Sequence, residues 1–112
     1  MEIAVEKTGD IAVVQIPVEE LDASNAAELK RDIGPVLEAN KKVVLDLSRL
    51  RFVDSSGLGA LLSSLRQLTG RGGDLRLFGM SKPVRALFEL VRMHRIFDIY
   101  GTKEEAMHAF QS

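Results

Sequence analysis

Val43-Val44-Leu45 is a short, wholly apolar run with a helical pattern on either side of it. A strand without polar alternation is buried on both faces, which is the setting of a central strand in a helix-covered parallel sheet. Before it, Leu29, Ile33, Val36 and Leu37 recur at helical spacing, and after it so do Leu58, Leu61, Leu62, Leu65 and Leu68. Strands that alternate with helices imply crossover connections and a largely parallel sheet.

The flanking segments extend this pattern. Met1 to Lys7 and Ile11 to Ile16 read as two strands joined at Thr8-Gly9-Asp10, an antiparallel hairpin that Pro17 ends. Asn25 with Glu28 forms a candidate capping box for the first helix, which Gly34-Pro35 should kink or distort. Leu75 to Phe78 reads as a strand after the Gly70 to Gly73 turn. Ser81 and Pro83 open a helix with Val84, Leu87, Phe88 and Val91 on one face. Ile96 to Tyr100 is a short extended piece, and Thr102 with Glu105 caps a last helix ending near Phe110. The expected fold is α/β: one domain over residues 1–112, with a mixed, mostly parallel sheet of four or five strands, an N-terminal antiparallel hairpin and four helices.

Composition narrows the function. A chain of 112 residues, 46% hydrophobic and 28% charged, builds one core and should fold. Its net charge of −1 gives no basis for nucleic acid or an anionic membrane as a partner. Having no cysteine, it makes no disulfide, thiolate metal site or cysteine nucleophile. Without a signal-peptide pattern or a long apolar run, it is expected in the cytoplasm. His94 and His108 have no ligand-spaced partner, so no metal is expected. Gly70-Arg71-Gly72-Gly73 leads into a strand and offers no helix N-terminus to a phosphate. A serine hydrolase lacks its G-x-S-x-G elbow, and a receiver domain lacks the acidic pair that would hold magnesium. No catalytic residue, cofactor or metal is assigned. Arg85, Arg92 and Arg95 form a basic set around the third helix, read as a solvated face, with partner contact the alternative.

The chemistry concentrates in Asp54-Ser55-Ser56-Gly57, between a strand and the helix that begins near Leu58. A helix start presents unpaired N–H groups and the positive end of the dipole. A serine there can cap the helix or carry a covalent phosphate. Two serines stand where one would cap, and Gly57 and Gly59 would let another protein approach the backbone closely. Spacing alone does not choose between Ser55 and Ser56.

Ser55-Ser56-Gly57-Leu58-Gly59, preceded by Phe52-Val53-Asp54 and Val44-Leu45-Asp46-Leu47, resembles the signature of STAS domains, within them the small anti-sigma factor antagonists. Glu20-Leu21-Asp22, Gly72-Gly73 and Ser81-Lys82-Pro83-Val84 extend the likeness over nearly the whole chain. One departure is Glu19, where the family usually has glycine, in a Pro17-Val18-Glu19 segment one residue longer than usual. The resemblance implies a phospho-switch. The unphosphorylated form binds an anti-sigma factor that is a serine kinase and frees the sigma factor, and phosphate on Ser55 ends the binding. It also implies a PP2C-type phosphatase as second partner, a monomer or weak dimer, and a binding surface of Asp22, Asp54, Ser55, Ser56, Gly57, Leu58 and Gly59. Ser56 is expected to cap the helix. The alternative within the same fold is a subunit of another signalling scaffold or of a lipid or anion transport complex.

Overall fold

The protein is described by a computed structural model over residues 1–110. The element order is β1 (Ala4–Thr8), β2 (Ile11–Gln15), β3 (Glu20–Leu21), α1 (Ala26–Ala39), β4 (Lys42–Asp46), β5 (Phe52–Val53), α2 (Ser55–Thr69), β6 (Asp74–Phe78), α3 (Lys82–Leu90), a 3₁₀ turn over Met93–Arg95, β7 (Asp98–Tyr100) and α4 (Lys103–Ala109). Five strands form one sheet in the order β1-β2-β4-β6-β7. Among the described residues only the β1-β2 hairpin is antiparallel; β2-β4, β4-β6 and β6-β7 are parallel. The mixed sheet, the antiparallel hairpin and the four helices agree with the sequence reading.

The period of two in a strand divides the core. Val43 and Leu45 of β4 face the cluster that α1, α2 and α3 fill with Leu29, Ile33, Leu61, Leu68, Val84 and Phe88. Val44 points to the opposite face, where α4 covers Ile11, Val13 and Phe78 with Ala106 and Met107. All three β4 residues have no exposed surface, so the apolar run reports two different helix layers.

Several local expectations are corrected. Asn25 precedes α1 but caps nothing with its side chain. Its Oδ1 accepts from the Asp22 N–H at 2.9 Å and its Nδ2 donates to the Glu20 carbonyl at 2.8 Å, while Glu28 turns to the Met1 amine. Ser81 stands at the N-cap of α3, yet its hydroxyl donates to the Leu50 carbonyl rather than to the helix turn. On α2, Leu62 is only partly buried. The inward stripe is instead Leu58, Ala60, Leu61, Ser64, Leu65 and Leu68, with the Ser64 hydroxyl satisfied by the Ala60 carbonyl at 2.9 Å. The two-residue strands β3 and β5 pair in parallel as a second small sheet that no periodicity announces. That sheet positions the site.

Candidate functional site

Asp54, not Ser56, caps α2. Its backbone is extended, and its Oδ1 accepts from the Gly57 N–H at 2.9 Å, the third N–H of the helix. Its Oδ2 accepts from the Ala23 N–H at 3.2 Å, and its own N–H donates to the Leu21 carbonyl at 3.2 Å. One aspartate thus ends β5, starts α2 and ties both to the loop after β3. The Glu19 carbonyl strengthens the link, accepting from Arg51 N–H at 2.6 Å and Phe52 N–H at 3.1 Å.

The loop after β3 is held from within. The Asp22 carboxylate accepts from the Ser24 hydroxyl at 2.5 Å and the Ser24 N–H at 2.9 Å. Those two donors, the hydroxyl first, hold the Asp22 carboxyl below the usual aspartate range. Asp22 and Asp54, separate in sequence, therefore lie on one platform made of residues 19–25 and 51–57.

Ser55 and Ser56 are the first two residues of α2, inside the helix rather than outside it. Both are exposed, and among the described residues neither hydroxyl makes a hydrogen bond. With the cap supplied by Asp54, both hydroxyls are free of structural duty. Their backbone N–H groups also lack a carbonyl partner among the described residues, as the first N–H groups of a helix do. A covalent phosphate there would meet the positive helix end and two open donors, with the Asp54 carboxylate at the same helix start.

The two glycines differ. Gly57 is buried, and a Cβ built on it would lie 2.3 Å from the Leu21 carbonyl oxygen and 2.9 Å from Val53 Cγ1. Its close approach is to its own chain, not to a partner. Gly59 is exposed with nothing within 4 Å of such a Cβ, so it alone leaves a bare patch on the helix surface. Leu58, also expected on the binding surface, is 7% exposed and belongs to the core. Sequence reasoning passed over Phe52, 51% exposed on β5 and two residues from the cap. Its signal was a large aromatic opposite Glu20, next to the buried pair Leu21 and Val53.

The fold and this platform define an α/β domain that presents two unengaged serines at an aspartate-capped helix start. Residues 2–106 match the STAS domain family. The anti-sigma-B factor antagonist of Listeria monocytogenes is 32% identical over 77% of this chain and 76% of its own length. An anti-sigma factor antagonist from Mycobacterium paratuberculosis superposes with a TM-score of 0.87 at 26% identity, covering 99% of this chain and 94% of that one. The phosphorylated form of the Bacillus cell fate determinant SpoIIAA gives 0.70 at 25% identity, over 97% and 99% of the two chains. The chain belongs to the STAS domain family.

Proposed function

We propose that this protein is an anti-sigma factor antagonist that acts by partner switching in the cytoplasm. In its unphosphorylated form it binds an anti-sigma factor that is also a serine kinase, and the sigma factor is released. The kinase transfers the γ-phosphoryl group of ATP to the Ser55 hydroxyl, and a PP2C-type phosphatase removes it. The observation that carries this reading is the division of labour at the helix start. Asp54 takes the cap, so the Ser55 hydroxyl can be esterified without loss of the fold. The relatives named anti-sigma factor antagonists support it.

Phosphate adds a charge of about −1.5 to −2 next to Asp54. Inside an interface that charge must be desolvated and repels acidic neighbours, while in the free domain the helix N-terminus offsets it. Incubation with the cognate kinase and ATP should place one phosphate on Ser55, read by mass spectrometry of the phosphopeptide. Ser55→Ala should bind the anti-sigma factor and never be released, whereas Ser55→Asp should bind more weakly. Phosphate found mainly on Ser56, or equal affinity of all variants in calorimetry, would overturn the assignment.

A further inference from the structure

The end of α3 and the turn after it carry a second exposed surface, formed by residues other than Asp54 to Gly59. Leu90, Val91 and Ile96 are 79%, 44% and 51% exposed there, although α3 has already buried Val84 and Phe88 in the core. Lys82 and Arg85 on α3 and Arg92 and Arg95 in the turn are all exposed, with Glu89 the one carboxylate between residues 82 and 96. No ion pair among the described residues involves any of the four cations. Basic charge collects here in a chain whose net charge is −1.

The frame under this patch is fixed. Arg92 holds a left-handed backbone at φ 62°, which reverses the chain, and its N–H donates to the Glu89 carbonyl at 3.1 Å. Ile96 and Phe97 N–H both donate to the Met93 carbonyl at 3.0 Å. The Phe88 and Phe97 rings meet at 5.9 Å beneath. A non-glycine residue in the left-handed region is strained, and Arg92 holds that conformation at the reversal between α3 and the 3₁₀ turn.

We propose that this surface docks an acidic amphipathic segment of a protein partner, through side chains other than those at the start of α2. Apolar side chains of the segment cover Leu90, Val91 and Ile96, and its carboxylates take the unpaired guanidinium groups, which bind carboxylates through two parallel hydrogen bonds. A membrane fits less well. The apolar face of α3 is committed to the core, so only three side chains are left to enter a bilayer, and the whole chain is not drawn to an anionic surface.

The test uses the full chain and fluorescein-labelled amphipathic peptides, one of Glu and Leu and one of Lys and Leu with the same pattern. Anisotropy at low salt should show saturable binding of the Glu/Leu peptide alone, with amide shifts confined to residues 82–97. Arg92→Glu with Arg95→Glu should weaken it about tenfold or more, and Leu90→Ser should weaken it with the thermal melt unchanged. Arg92→Gly relaxes the left-handed backbone while removing a cation, so it should melt no lower and still bind more weakly. Equal binding of the Lys/Leu peptide, no effect of charge reversal, shifts mapping elsewhere, or binding to phosphatidylcholine–phosphatidylglycerol vesicles without peptide binding would each overturn the proposal. Kinase and anti-sigma binding at Ser55 are measured separately, so either reading can fail alone.

Discussion

Gly57→Ala should destabilise the protein by about 2 kcal/mol, against the direction of helix propensity. The new Cβ would sit 2.3 Å from the Leu21 carbonyl oxygen, 2.9 Å from its carbon and 2.9 Å from Val53 Cγ1. Leu21 cannot step aside freely, because its backbone pairs with Val53 and its carbonyl accepts from the Asp54 N–H. Relief therefore moves the start of α2 away from β3 and strains the cap. Overpacking of a well-packed site costs about 1–3 kcal/mol, and contact with backbone puts this case near the upper end. Alanine returns about 1 kcal/mol over glycine inside a helix, which leaves a loss of about 2. Gly59→Ala is the matched control. The site is exposed and empty to 4 Å, so the same substitution two residues on should stabilise by up to about 1 kcal/mol. Urea denaturation followed by far-ultraviolet circular dichroism measures both. If Gly57→Ala were as stable as the parent, or both variants shifted the same way, the close approach of α2 to β3 would be refuted.

Asp54→Ala removes the cap and the acceptor of the Ala23 N–H and should cost about 1–2 kcal/mol, whereas Ser56→Ala should stay within about 0.5. Comparable losses in chemical denaturation would return the cap to Ser56. Leu61→Ala, fully buried, should cost about 2–5 kcal/mol, and Leu62→Ala less than half as much; the reverse order would mean that the inward face of α2 is misassigned. Asp22 has a folded pKa below its unfolded value, so its stabilising effect is complete above the ordinary aspartate pKa of about 4 and is lost as pH falls through the folded value. Asp22→Asn should accordingly flatten the acid limb of a stability-versus-pH curve and leave its neutral region nearly parallel, and an unchanged acid limb would count against the Ser24 contacts.

Elements with periodic signals could be read from the chain directly. Val43-Val44-Leu45 announced a central strand, the leucines after Leu58 a helix, and Thr102 with Glu105 the start of α4, where the Thr102 hydroxyl does accept from the Glu105 N–H at 3.2 Å. The motif at Asp54–Gly59 also marked the candidate site and the family. The part that each residue of that motif plays depended on long-range contacts. A hydroxyl and a carboxylate both suit an N-cap, and the choice of Asp54 follows from its second oxygen meeting Ala23, thirty-one residues away in the chain. Gly57 reads locally as an exposed helix glycine, yet β3 lies against it because two residues of backbone pair there, too few to leave a pattern. Leu62 shares the leucine spacing but turns to the rim, because a helix buries the arc that its neighbours cover and not every leucine it carries. Periodicity records which face an element hides, while contacts between distant segments decide which polar groups are spent on the fold. At this site they spend Asp54 and leave Ser55 free.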